Sequence, residues 1–311
     1  MYHRHEVPPE LERLARAQSG VLVRTQILGC GVSDNVLDRL VSAGLFGRIE
    51  RGLFAYPHGT PPWTGWVWAG VLMGGPHARA GGMTAARLQG LADQQPQTID
   101  ILTPAGTRPA ARNWVTFREE RPGVRSISTR TEPPCTRIED TVLDLCTAGP
   151  AAAIEWITAA IQRRLTSPEA LQRALQRRRR IPNRRLITGI IADAADGVHS
   201  SLEYHYRHAV EKAHSLPRGQ RQQSRGARRE FVDVLYADYA LVVELDGRLG
   251  HVGRLRDRRR DNVHTKTGSP SLRYGWTEVT QESCEVALEV AEVLIGQGWS
   301  GSPGHCPRCL R

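Results

Sequence analysis

Four carboxylates and one imidazole in the last third of the sequence are of the residue types that build a hydrolytic metal centre: Glu203, Asp233, Glu244, Asp246 and His251. Like charges gathered on one face repel unless positive charge is supplied. A hard divalent cation, Mg²⁺ or Mn²⁺, prefers oxygen ligands. Held by Asp233, Glu244 and Asp246, it would polarise a phosphate and lower the pKa of a bound water. Arg258, Arg259 and Arg273 follow in sequence and would offset charge on a phosphate. The competing reading is a network of ion pairs with these arginines, and for Glu203 a plain first-turn helix carboxylate.

The elements that must position these groups can be read from periodicity. Ser200 or Ser201 caps a helix predicted to run to about His214, with Leu202, Tyr206 and Val210 on one face and Glu203 beside that stripe. The run from Glu230 to Leu235, a turn at Tyr236 to Tyr239 and the run from Ala240 to Gly247 predict a β-hairpin. Alternation puts Phe231, Asp233 and Leu235 on one face and Val242, Glu244 and Asp246 on one face. A tight turn sets Asp233 roughly opposite Val242 and diagonal to Glu244, and a one-residue slip would undo the arrangement. After Gly247 come His251 and a basic helical stretch in which Asp257, Asp261 and His264 share helical spacing. A strand over Leu272 to Thr277 and an amphipathic helix over Gln281 to Gly296 close the segment.

Taken in order, a helix glutamate, Val232-Asp233-Val234, Val243-Glu244-Leu245-Asp246-Gly247 with His251, the stretch Arg256 to Asp261 and Leu272-Arg273 resemble a family related to very short patch repair (Vsr) endonucleases. That family has the PD-(D/E)xK restriction-endonuclease-like fold, and the resemblance covers about the last third of the chain. It implies Asp233 and Glu244 as metal ligands, with Glu203, Asp246 and His251 as further site residues. Three features depart from the pattern. Asp246 stands where the fold usually has lysine, Gly268 to Ser271 replaces the usual Gly-Trp, and the Vsr-type zinc cysteines are missing around Gly247.

The front of the chain carries a different chemistry. Leu11, Leu14 and Ala15 recur at helical spacing, and Thr25 to Leu28 form a short helix ended by glycines. Ser33 reads as the N-cap of a third helix over Asp34 to Ala43, with Gly44 as its C-cap. Leu45 to Tyr56 alternates like a small hairpin, so the layout is a winged helix-turn-helix. The run from Leu40 to Pro57 resembles the N-terminal winged-helix domain of AbiEi-family type IV antitoxins. The resemblance implies Asn35, Asp38 and Arg39 on the recognition helix and Arg48 and Arg51 on a wing near phosphate. A packing or protein-interaction role is the alternative, because the segment holds six arginines against six acids.

Between these regions, Trp63 to Leu72 and Met83 to Leu91 predict helices, Thr98 to Pro104 a strand and Thr136 to Cys146 a further helix. No nucleophile–base pair or ligand cluster marks this connecting α/β domain. Its distal part, Arg163 to Arg185, holds nine arginines against the single acid Glu169, including the run Arg177, Arg178, Arg179 and Arg180. A nucleic acid would neutralise such a run, and a solvated face is the other reading.

The 311 residues carry a net charge of +10 with 40% hydrophobic residues, enough for packed cores and suited to an anionic partner. No stretch approaches the roughly 18 apolar residues needed to span a bilayer, and the first residues lack a signal-peptide core, so a cytoplasmic protein with no membrane partner is expected. Cys30, Cys135, Cys146 and Cys284 read as reduced core thiols. The ending His305-Cys306-Pro307-Arg308-Cys309 offers two thiols and one histidine, short of a tetrahedral zinc site, so no zinc and a disordered tail are expected, a dimer-shared metal being the alternative. The expected organisation is α+β: a winged helix-turn-helix over 6–58, a connecting α/β domain over 63–198, a restriction-endonuclease-like domain with a mixed sheet over 199–296, and a tail. Two functions compete, a Mg²⁺-dependent endodeoxyribonuclease and a DNA-binding regulator or antitoxin with a non-catalytic nuclease fold. The second implies a nucleotidyltransferase-type toxin partner. DNA is the expected ligand of both, and a homodimer is compatible with either.

Overall fold

The computed structural model describes residues 7–110, 112–129, 131–198, 200–225, 230–246 and 270–309. The chain is α+β, with two three-stranded sheets and one four-stranded sheet among the described residues. It divides into two compact units, Met1–Ala148 with Arg173–Pro182, and Gly149–Gln172 with Asn183–Arg311. The segment 63–198 is therefore split between the units, its distal helices falling mainly in the second.

In the first unit, helix α1 (Pro9–Ala17), strand β1 (Val21–Val23), helices α2 (Arg24–Gly29) and α3 (Asp34–Ser42), and strands β2 (Gly47–Glu50) and β3 (Leu53–Ala55) form a winged helix. The sheet order is β1-β3-β2, antiparallel throughout. Helix α3 begins after Ser33, whose backbone is extended and whose side chain makes no capping bond. Its apolar positions fall at helical spacing, which buries Leu37 and Leu40 against Leu11, Ile27 and Phe46. Each fully buried leucine contributes roughly 1.5–3 kcal/mol. Gly52 turns the hairpin at φ +80°, a conformation that other residues adopt only with strain.

The rest of this unit packs helix α4 (Trp63–Gly74) against a sheet of β4 (Arg79–Ala80), β5 (Ile99–Pro104) and β6 (Val115–Glu120), with β5 and β6 parallel. Helices α5 (Gly82–Leu88) and α6 (Ile138–Leu145) follow the predicted spans closely. Glu50 of the wing accepts hydrogen bonds from Trp114 Nε1 at 3.0 Å and from Arg112. Burial disfavours the Glu50 charge, but these two bonds outweigh it and hold the carboxyl below its ordinary range. The wing is thus fixed at its base by charge-assisted bonds.

In the second unit, helices α7 (Pro150–Gln162) and α9 (Arg184–Ala195) pack together. Helix α10 (Ser201–His205) starts at Ser200, whose hydroxyl accepts the Glu203 amide at 3.1 Å, and continues as a π-helix over Tyr206–Lys212. The sheet follows in the order β10-β9-β8-β7, from β7 (Gln220–Arg225), β8 (Glu230–Tyr236), β9 (Leu241–Asp246) and β10 (Ser271–Gly275). Strands β7, β8 and β9 run antiparallel and β10 runs parallel to β9. A helix over Ser283–Gly296 closes the fold, and its Val286, Val290 and Leu294 join Tyr206, Val210, Val234 and Val243 in one core. Within it the buried pair Glu211–Arg221, at 2.6 Å, also takes a hydrogen bond from Tyr236 at 2.8 Å.

Two expectations need correction. The hairpin register is Val234 to Val243 and Leu235 to Val242, so Asp233 lies across from Glu244 and not from Val242. The offset is two residues, which preserves the faces that a one-residue slip would have exchanged. The tail is also not disordered. Residues 297–309 follow the closing helix in a defined path, Trp299 packs against the core and Cys306 is buried.

Candidate nucleic-acid interface

Helix α3 turns its polar residues outward because its apolar ones are taken by the core. Asp34, Asn35, Asp38, Arg39 and Ser42 are all exposed. Arg39 donates from Nε to the Asn35 carbonyl at 3.1 Å, a bond within its own helix that leaves its two terminal nitrogens for a ligand. On the wing, Arg48 and Arg51 are exposed. The Arg48 guanidinium lies 5.5 Å from the centre of the Phe54 ring and pairs with Asp38 at 3.2 Å. Arg24 pairs in the same way with Asp34. Among the described residues Arg39 and Arg51 have no ion-pair partner.

These groups rim a concavity of about 840 Å³ lined by Arg24, Asp34, Asp38, Arg48, Arg51 and Phe54, among others. Its charges are three arginines and two aspartates. Both ion pairs are more than half exposed at their arginines and cost little to open. A backbone phosphate entering here would replace Asp38 on Arg48 and meet Arg51 directly. Asn35 and Arg39 are the side chains of α3 with the donor and acceptor pattern that reads base edges.

The arginine run divides. Helix α8 (Pro168–Arg177) ends where the run begins. Arg178 is only 6% exposed and donates to Asp140 and Asp144, both at 2.9 Å. Arg125 bridges Asp144 at 2.6 Å to Glu120 at 2.9 Å, and Arg79 completes the chain on Glu120. Arg178 is therefore removed from the set of nucleic-acid ligands, because its charge is spent inside the unit. Arg177 lies 4.0 Å from Asp140 and is half exposed. Arg179 and Arg180 are exposed and, among the described residues, have no ion-pair partner.

On the sheet of the second unit, Asp233 and Glu244 face one another across β8 and β9, with Asp246 two residues along the same strand. Asp233 accepts the Leu245 amide at 2.7 Å. Its carboxyl is raised above the ordinary range by burial first and then by the charges of Glu244 and Asp246, the amide bond opposing both. Glu203 is buried on α10, an element that touches β9. Arg273 stands beside Glu244 in the parallel register and donates to it from Nε at 2.8 Å. That pair is as exposed at its arginine as the pair of Arg48 with Asp38. A cation on Glu244 would sit against the Arg273 guanidinium, so as these side chains stand they do not fit Mg²⁺ or Mn²⁺, and no hydrolytic step is derived from them. His251, Arg258 and Arg259 lie outside the described residues, as do Asp257, Asp261 and His264.

The arrangement that the sequence does not reveal is elsewhere. His214, Cys284, Cys306 and Cys309 offer ligating atoms that all lie within 4.8 Å of one another. The separations along the chain are too long for a spacing motif, and the pair Cys306 and Cys309 was the only legible half.

The first unit thus opens with a winged-helix domain whose third helix and wing line one polar concavity. Residues 9–57 match the family model described as transcriptional regulator, AbiEi antitoxin. No curated protein sequence matches the chain. Among solved structures, the crystal structure of RV2827C protein from Mycobacterium tuberculosis is similar over 63% of this chain and 78% of that chain, at 18% identity and a TM-score of 0.37. No helix among the described residues is long and apolar enough to cross a membrane.

Proposed function

We propose that this protein is a DNA-binding regulator of the AbiEi antitoxin type, reading duplex DNA with α3 and holding the backbone with the wing. The observation that carries the reading is a set of exposed donors on adjoining elements: Asn35 and Arg39 on the helix, Arg51 and the weakly held Arg48 on the hairpin that the helix reaches through Asp38. The match of residues 9–57 to the antitoxin regulator model supports it. A nucleotidyltransferase-type toxin is the partner this reading implies. The test is selection of sites from a random duplex pool by the full-length chain, followed by binding measurements on the selected site. A selected sequence whose binding is weakened in Asn35→Ala and, by a smaller factor, in Arg51→Ala is expected. Binding indifferent to sequence and to both changes would remove α3 and the wing from the interface.

A metal-dependent endodeoxyribonuclease is the second reading, favoured by one observation: the repulsion that Glu244 and Asp246 exert on Asp233. It requires Arg273 to leave Glu244. Incubation of plasmid, single-stranded and mismatched DNA with Mg²⁺, Mn²⁺ or EDTA decides it, and cleavage that persists in Asp233→Asn would rule out this site as its source.

A further inference from the structure

We propose that His214, Cys284, Cys306 and Cys309 bind one zinc ion in a closed tetrahedral site that staples the end of the chain to the sheet domain of the second unit. The ligand atoms already outline the polyhedron. Cys284 Sγ lies 3.5 Å from Cys306 Sγ, Cys306 Sγ lies 3.8 Å from Cys309 Sγ, and Cys309 Sγ lies 3.4 Å from His214 Nε2. A tetrahedral zinc with bonds of about 2.3 Å to sulfur and about 2.0–2.1 Å to nitrogen has edges of roughly 3.8 Å between sulfurs and roughly 3.5 Å between sulfur and nitrogen. The three spacings match those edges to within about 0.3 Å, and they are far longer than the roughly 2.05 Å of a disulfide.

The surroundings orient His214 and the two tail cysteines for a metal. His214 is buried, and its Nδ1 lies 3.1 Å from the Val210 carbonyl. A carbonyl can only accept, so Nδ1 carries the proton and Nε2 presents its lone pair to the thiols. A metal-ligating histidine is oriented by just such a second bond. Cys306 Sγ accepts the Arg308 amide at 3.3 Å, and the Cys309 amide donates to the Cys306 carbonyl at 3.0 Å. This tight turn points both sulfurs of Cys306-Pro307-Arg308-Cys309 to one side, and an amide on sulfur favours the thiolate that binds metal.

The remaining contacts show that the tail is seated. Gly304 donates its amide to the His214 carbonyl at 2.7 Å, and a Cβ at that glycine would meet Ser215 Oγ at 3.0 Å. Arg308 donates to the Thr280 carbonyl at 3.1 Å. Three cysteines and one histidine fill all four positions, so the site is structural and leaves none open for substrate. It ties together the end of the helix that carries Glu203, the start of the closing helix and the tail. This reverses the expectation of no zinc, which counted only Cys306, Cys309 and the neighbouring His305.

The experiment is metal analysis of the purified full-length protein under reducing conditions, by native mass spectrometry and elemental analysis. One zinc per chain is expected, with a fall in Tm on chelation. Cobalt(II) in its place should give the thiolate charge-transfer and ligand-field bands of a tetrahedral site. Cys306→Ser, His214→Ala and removal of residues 303–311 should each abolish the stoichiometric metal, while Cys30→Ser keeps it. The wild-type stoichiometry and the cobalt spectrum do not depend on whether a ligand variant folds. Failure of the reduced, metal-stripped protein to take up zinc or cobalt would overturn the proposal. So would a Cys306–Cys309 disulfide in the native protein, or full zinc retained by the truncated chain.

Discussion

The polar face of the winged helix and the carboxylate face of the second unit both carry charge in patterns that suggest a site, yet the charge is of opposite sign and stands in different surroundings. On the winged helix, Arg39 and Arg51 have no ion-pair partner among the described residues, and the pairs of Arg24 and Arg48 are exposed. On the sheet, the pair of Glu244 with Arg273 is just as exposed at its arginine, but Asp233 is partly buried beside Glu244 and Asp246, which raise its carboxyl above the ordinary range, and it takes the Leu245 amide. A charge held weakly at the surface can be transferred to a ligand at little cost. A carboxylate crowded by like charges calls for a cation, and the one beside this face is Arg273. The difference supports an anionic ligand for the first face and a cation for the second. The arginine run holds a contrast of its own within four residues: Arg178 is spent inside the first unit, while Arg179 and Arg180 have no ion-pair partner among the described residues.

The largest expected effect tests the spent side of that contrast. Arg178→Ala leaves Asp140, itself 1% exposed, with the Ser126 amide and the more distant Arg177, while Asp144 keeps Arg125. Removing one partner of a buried ion pair typically costs about 3–5 kcal/mol, which for a unit of this size is a fall in Tm of about 10 °C. DNA affinity of the protein that remains folded should not change. A loss of affinity without a loss of Tm would return Arg178 to the interface and break the comparison.

Next in size is Asn35, the side chain proposed to read bases. Asn35→Ala should weaken the selected site by about 1–3 kcal/mol relative to unrelated duplex, leaving Tm unchanged because Asn35 is exposed. Equal loss on both duplexes would make it a backbone contact. A smaller effect belongs to the wing. Arg51→Ala should weaken all sequences alike and reduce the slope of log K against log salt by about 0.9, one phosphate's worth. An unchanged slope would leave the wing free of DNA.

What the sequence made legible follows the range of the interactions involved. The winged helix is built from neighbours: Leu37 and Leu40 at helical spacing, Gly52 at a turn, Arg48 and Arg51 beside it. Each is local, so the residue pattern carries it. The faces of the β8–β9 hairpin were legible for the same reason, since alternation is a local property, while its register depended on the turn over Ala237–Tyr239 and came out two residues off. Arg178 was misread because its partners Asp140 and Asp144 lie more than thirty residues away and belong to another helix. The Cys and His cluster was missed on the same ground, because His214 and Cys284 reach the tail only through the fold.

The smallest expected effect probes the carboxylate face. Asp233 carries a folded-state pKa above the ordinary aspartate value of about 3.9. Folding therefore favours its protonated form, and the stability this contributes is complete below that ordinary value and lost as pH rises through the folded pKa. At neutral pH the wild type keeps an ionised group that burial and two neighbouring carboxylates disfavour. Asp233→Asn removes the charge and retains an oxygen to accept the Leu245 amide. The variant should match or slightly exceed the wild type in Tm at neutral pH. The difference should shrink to nothing on acidification below the folded pKa. A clear destabilisation at neutral pH would mean that the Asp233 charge is itself satisfied, making this face another spent network like that of Arg178. If instead Mg²⁺ raises the Tm of the wild type and not of the variant, the cation competes successfully with Arg273 for this face, and the metal-dependent reading gains the ligand that the side chains, as they stand, do not offer it.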